Sequence, residues 1–101
     1  MKKQPRVAAI HDLSGFGRCS LSIVLPVLSA AGIETCPIPT AVFSSHTGGL
    51  PGVWHQDLTE AMDGFLKQWK QLGLTFDAIY VGFLGSEKQI SIVKEFLQTF
   101  S

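Results

Sequence analysis

Short apolar runs of strand type alternate with longer stretches of helical period along this chain, and that alternation most restricts its fold. Residues 6 to 11, Arg-Val-Ala-Ala-Ile-His, are small and β-branched and read as a buried strand. A loop over residues 12 to 17 follows. Its two glycines supply positive φ, and Asp12 and Ser14 make local side-chain bonds. Residues 18 to 31 are apolar on nearly every side, as in a helix covered on both flanks. Pro26 should kink this helix or reset its start, and Gly32 is its natural stop. A second strand spans residues 33 to 43, its first half made irregular or an edge by Pro37 and Pro39.

Residues 44 to 54 form a long polar, glycine-rich loop with no core pattern. A helix over 57 to 72 opens on Asp57 and Glu60 as N-cap and N3 partner. Its stripe is Leu58, Ala61, Met62, Phe65, Leu66, Trp69 and Leu72, and Gly73 ends it. Residues 77 to 84 make a third strand. Ser86 and Gln89 then form a second capping box, opening a helix with Ile90, Val93, Phe96, Leu97 and Phe100 on its inner side.

The order β-α-β-loop-α-β-α predicts an α/β fold, a parallel three-layer α/β/α sheet with right-handed crossovers, as one unit over residues 1 to 101. Three parallel strands leave two open edges, and an apolar helix face runs up to Ser101. The expectation is the N-terminal part of a larger α/β protein. Eight basic and eight acidic residues cancel, which disfavours nucleic acid or an anionic membrane as partner. The longest mainly apolar stretch, 21 to 33, is broken by Ser22, Pro26 and Ser29 and is too short to span a bilayer. Cys19 and Cys36 lack metal-ligand spacing and read as small buried hydrophobes in a reducing, cytoplasmic setting.

Ligands of open parallel sheets sit beyond the carboxyl ends of the strands. Three loops lie there, 11 to 18, 44 to 54 and 82 to 86, each rich in Gly, Ser, Thr or His. The first holds Gly15-Phe-Gly17-Arg-Cys-Ser20, close to a dinucleotide fingerprint but with Ser20 at the third glycine. The acidic residue that should end strand two is missing, since that strand closes on Phe43-Ser44-Ser45 and Glu34 lies at the wrong end. There is no phosphate-cradling G-x-x-x-x-G-K-[ST] and no G-x-S-x-G elbow, and His11, His46 and His55 lack zinc-site spacing. His46 beside Thr47 is a polar handle for a small ligand.

Phe43-Ser-Ser-His-Thr-Gly48 resembles the F-S-N-H-T-G segment of pyridoxal kinases, the vitamin B6 salvage branch of the ribokinase-like superfamily. Tyr80-Val-Gly-Phe-Leu-Gly-Ser-Glu-Lys-Gln89 is similar to their G-Y-L-G-S-x-x-Q segment, with Phe83 at a usual Tyr. Ile10-His-Asp-Leu-Ser-Gly-Phe-Gly17 departs from their Q-S-H opening and resembles the D-x-S-G-G-x-G turn of hydroxymethylpyrimidine kinases. The mixture resembles the bacterial pyridoxamine and pyridoxal kinase group over residues 6 to about 98.

The resemblance implies ATP-dependent phosphorylation of the 5′-hydroxymethyl group of pyridoxal, pyridoxamine or pyridoxine, in a cytoplasmic homodimer. ATP and Mg2+ would bind mainly through a later half. Asp12 would bond ring substituents, with Ser14, Gly15 and Gly17 in the same turn bringing the backbone close to the substrate. His46 and Thr47 would sit beside the pyridine and its phenolic oxygen, and Phe83 would cover the ring without offering a hydroxyl. The family's late G-T-G-D segment, with its anion hole and catalytic Asp, does not occur here, and Asp12, Asp57, Asp63 and Asp77 stand in other contexts. The expectation is no catalytic residue and no metal ligand in this chain, and an inactive fragment by itself. Two alternatives are a hydroxymethylpyrimidine kinase, whose usual Gln-containing loop is not seen at 43 to 48, and a dinucleotide-binding oxidoreductase domain. A third is an assembly piece without activity.

Overall fold

The computed structural model describes residues 4–82 and 84–100. The elements run β1 (Arg6–Phe16), α1 (Leu21–Ala30), β2 (Glu34–Ser45), β3 (His55–Asp57), α2 (Thr59–Gln71), β4 (Ala78–Val81) and α3 (Glu87–Phe100). The four strands form one sheet in the order β3-β2-β1-β4. β1 pairs in parallel with both β2 and β4, while β3 joins β2 antiparallel. The sheet is therefore mixed, where an all-parallel one was expected.

β3 is the element the sequence pattern hides. Its residues, His55, Gln56 and Asp57, are polar and exposed, so no period-2 apolar signal exists. Backbone pairing of Ala41, Val42 and Phe43 with Asp57, Gln56 and His55 holds it. β1 also outruns its expected end, because Ser14 and Phe16 continue the ladder opposite Phe43 and Ser45. Of the two glycines in the expected loop, only Gly17 takes a positive φ, at 100°. Pro37 and Pro39 lie opposite Ala9 and His11 on the stretch of β2 that β3 does not reach. Their missing N–H groups fall on the open side, as the Glu34 N–H to Pro5 carbonyl bond on the β1 side requires of alternate residues.

Even-numbered Ala8, Ile10 and Ile38 face α2 and α3, where Met62, Leu66, Val93 and Phe96 complete the buried core. Phe96 packs among Trp69, Phe76 and Phe100, with ring centroids at 6.1, 5.8 and 4.5 Å. α1 lies against β1 and β2 on the opposite face. Only one of its flanks is covered, since Ile23 and Val27 are exposed, against the expectation of cover on both. α1 starts five residues before Pro26, so that proline does not set its start, and Gly32 stops it with φ 80°.

The capping box expected of Asp57 and Glu60 does not form, and the one expected of Ser86 and Gln89 forms by half. Asp57 ends β3 and Leu58 is the N-cap of α2, yet the Asp57 carboxylate accepts hydrogen bonds from the Thr59 N–H, at 2.8 Å, and from the Thr59 hydroxyl. Ser86 Oγ accepts from the Gln89 N–H at 3.3 Å, which is one half of a box. The Gln89 side chain turns inward instead and is 0 % exposed. Its Oε1 accepts from the Gly85 N–H at 2.7 Å, while Nε2 faces the Thr40 carbonyl, Thr59 Oγ1 and Asp57 Oδ2 at 3.0, 3.1 and 3.2 Å. The register between β1 and β2 shifts between His11 and Leu13, where β2 carries an extra residue. At that irregularity the Thr40 carbonyl accepts from Gln89 Nε2 and from the Leu58 N–H.

Candidate functional site

The carboxyl ends of β1 and β2 run side by side and open into a cavity of about 550 Å³. His11, Asp12 and Ser14 line it from β1, Cys19 and Ser20 from the approach to α1, and Phe43, His46, Thr47 and Gly48 from the end of β2 and its loop. Four expected site residues, Asp12, Ser14, His46 and Thr47, thus meet in one place.

Local sequence explains the walls. Beyond β1 the chain turns back at Gly17, and Ser14 becomes an anchor for the start of α1. Its carbonyl accepts from Ser22 Oγ at 2.6 Å, and its Oγ accepts from the Cys19 thiol at 3.4 Å. Ser20 occupies the left-handed region at φ 52°, a conformation that strains a non-glycine residue. The loop after β2 is pinned at its root: the His46 N–H donates to the Phe16 carbonyl, the Ser44 N–H to the Trp54 carbonyl, and the Trp54 N–H to Ser44 Oγ.

Two of the expected glycines serve neighbouring groups. A Cβ at Gly15 would lie 3.1 Å from the Ser44 carbonyl oxygen, so that glycine permits close approach of the β1 and β2 ends. A Cβ at Gly17 would lie 2.3 Å from His46 Cδ2, and the ring stacks beside Phe16 at 6.5 Å. Gly17 thereby gives His46 its seat at the cavity. Phe83 lies outside the described residues. The lining residues missed from sequence are His11, Cys19, Ser20, Phe43 and Gly48. Phe43, stacked on His55 at 5.6 Å, supplies an aromatic wall, and its place as the last apolar residue of β2 was the available signal.

Asp12 is 8 % exposed, and its Oδ1 lies 2.8 Å from His11 Nδ1. At the distant corner of the sheet, hydrogen bonds from Thr59 hold the Asp57 carboxyl below its ordinary range. Both cysteines are free thiols, and burial followed by the Glu34 charge pushes Cys36 up, away from reactivity. The cavity can hold a flat ligand of modest size against one aromatic ring, with a carboxylate, an imidazole and hydroxyls at its rim.

The geometry also weakens the dinucleotide alternative. That fingerprint needs its first glycine in a tight turn between strand and helix, whereas Gly15 lies within β1.

No family model matches the chain, and no curated protein matches it. Solved structures do. A Bacteroides thetaiotaomicron protein described as a phosphomethylpyrimidine kinase is 50% identical, with a TM-score of 0.94 over 99% of this chain and 34% of its own. Pyridoxal kinase from Lactobacillus plantarum is 29% identical, with a TM-score of 0.90 over 99% of this chain and 36% of its own. Pyridoxal kinase from Trypanosoma brucei shares the fold at 17% identity and a TM-score of 0.88, over 96% of this chain and 36% of its own. The chain spans about a third of the length of these neighbours.

Proposed function

Because the chain carries the ribokinase-like fold of the pyridoxal kinases, we propose that it is the N-terminal, substrate-binding part of a kinase acting on the 5′-hydroxymethyl group of vitamin B6 vitamers. The observation that carries this reading is the meeting of Asp12, His46 and Thr47 in one cavity. A pyridine ring with a phenolic oxygen, an aldehyde or amine, and a hydroxymethyl arm asks for such partners. In this reading Phe43 provides an apolar wall, the Asp12 carboxylate accepts a hydrogen bond from a donor on the ring, and His46 and Thr47 address the ring oxygen.

The neighbour from Bacteroides thetaiotaomicron was also crystallised with pyridoxal, which favours the B6 reading over a pyrimidine substrate. ATP is the proposed phosphoryl donor, as its complex with Mg2+. Among the described residues no three His, Cys, Asp or Glu side chains converge to hold a metal. Phosphoryl transfer rests on positioning and charge neutralisation. This chain's share is positioning, and in the complete enzyme we place it in a cytoplasmic homodimer. Among the described residues no helix is long and apolar enough to cross a membrane.

The test is a thermal-shift and titration series with pyridoxal, hydroxymethylpyrimidine and NAD. Protection by pyridoxal that Thr47→Val and His46→Ala both weaken is expected. Protection by hydroxymethylpyrimidine alone would move the substrate to the sister branch, and protection by NAD alone would overturn the kinase reading.

A further inference from the structure

His11 lines the same cavity without having stood out in the sequence, and its surroundings are built around its ring. It stacks on Tyr80 of β4 at 6.1 Å, with planes 22° apart. A Cβ at Gly82 would lie 2.0 Å from His11 Cδ2 and 2.3 Å from Nε2. Gly82 is itself fixed, since its N–H donates to the Ile10 carbonyl at 2.8 Å. The ring therefore occupies a slot that only glycine leaves open, at the junction of β1 and β4.

Nδ1 faces two groups of the next residue. The Asp12 N–H lies 2.9 Å away as a donor, and Asp12 Oδ1 lies 2.8 Å away as an acceptor. One ring nitrogen serves only one of them. A bare Nδ1 would set its lone pair against an ionised carboxylate, whereas a protonated Nδ1 donates to it. The charge on Asp12 selects the second arrangement. Oδ1 is then engaged, and Oδ2 has no hydrogen-bond partner among the described residues.

We infer that His11 is a positioning residue. It holds the Asp12 carboxylate so that one oxygen addresses a hydrogen-bond donor of a bound heteroaromatic ligand, and Gly82 is the residue that admits it. The inference rests on the B6 reading for the ligand's identity and on geometry alone for the dyad.

Asn and Gln variants separate the roles of the two ring nitrogens, because an Asn amide nitrogen falls near Nδ1 and a Gln amide nitrogen near Nε2. Long-range 1H–15N spectra of the ring and the 13Cγ shift of Asp12 are recorded first, without ligand. Nδ1 should carry a proton, and the Asp12 carboxyl signal should move in His11→Gln and His11→Leu but stay near the parent position in His11→Asn. Pyridoxal is then titrated. Affinity should fall about tenfold in the Gln and Leu variants, the loss expected for one charge-assisted hydrogen bond, and stay within about threefold in the Asn variant.

Gly82→Ala should reproduce the Leu phenotype in the parent and add nothing in His11→Ala, a background that lacks Cγ, Cδ2 and Nε2 and so removes the clash should the single variant fold poorly. A bare Nδ1 with an unmoved Asp12 carboxyl in every variant would overturn the inference. So would unchanged pyridoxal affinity in His11→Leu. A parent that binds no pyridoxal would fail the B6 reading, and the carboxyl signals would still decide the dyad.

Discussion

Replacing Gln89 by leucine, which keeps its approximate volume, tests whether a polar pin or plain packing joins the helices to the sheet. The amide offers one acceptor and two N–H donors, which bond Gly85 on one side and Thr40, Thr59 and Asp57 on the other. At a net value of about 1 kcal/mol each, three such arms contribute about 3 kcal/mol. The abandoned partners escape the full desolvation penalty. The Thr40 carbonyl keeps the Leu58 N–H, Asp57 and Thr59 keep each other, and Gly85 is exposed. A leucine recovers about 1 kcal/mol by burying more apolar surface. The expected loss is therefore about 2 kcal/mol, or a fall in Tm of roughly 10 °C for a domain of this size.

Gln89→Glu should cost more at neutral pH, about 3 to 5 kcal/mol. It would place an unpaired carboxylate oxygen in a buried position facing the Thr40 carbonyl and Asp57. The introduced carboxyl would titrate higher in the folded state than in the unfolded one. The folded state then binds the extra proton, and the deficit relative to the parent shrinks as pH falls through the carboxyl range. Urea unfolding of the three proteins at pH 7 and pH 5 measures both effects. Losses below about 0.5 kcal/mol for both variants, or a Glu deficit that does not change with pH, would refute the polar pin.

Gly17→Ala should cost about 1 to 3 kcal/mol from its left-handed backbone and should also displace the His46 ring. Adding His46→Ala should relieve the steric part and leave the backbone part, as urea titrations of the single and double variants would resolve. Phe96→Ala, at the centre of the aromatic cluster, should lose about 3 to 5 kcal/mol in the same measurement. Asp57 is held below its ordinary range by Thr59, so its contribution is complete above the normal Asp range and fades as pH falls through the lowered value. Thr59→Val, which deletes the largest cause, should raise the Asp57 titration midpoint read from its 13Cγ signal.

Sequence was most informative where apolar periodicity and backbone geometry agree. The stripe from Met62 to Trp69 and the runs around Ile10 and Ile79 did locate α2, β1 and β4, because buried faces impose a period. β3 escaped because three exposed polar residues are a strand only through their partner's backbone. Gln89 read as half of a capping box, and the fuller role emerged only when Thr40, Asp57 and Gly85 came around it from distant parts of the chain.

In the site, Asp12, His46 and Thr47 were legible as polar groups at strand ends. His11 was not, since its role depends on Gly82, 71 positions further along by the numbering, and on a Cβ that is missing there. Gly15 and Gly17 were legible as glycines, but the groups they make room for were not.

The most direct test of the central claim is a pyridoxal titration of isotope-labelled protein followed by amide chemical shifts. The account predicts saturable shifts clustered at residues 11–20 and 43–48 and at their β4-side neighbours Tyr80 and Gly82, with the outer face of α2 unmoved. Shifts clustered elsewhere, or none at pyridoxal concentrations that shift a pyridoxal kinase, would contradict it.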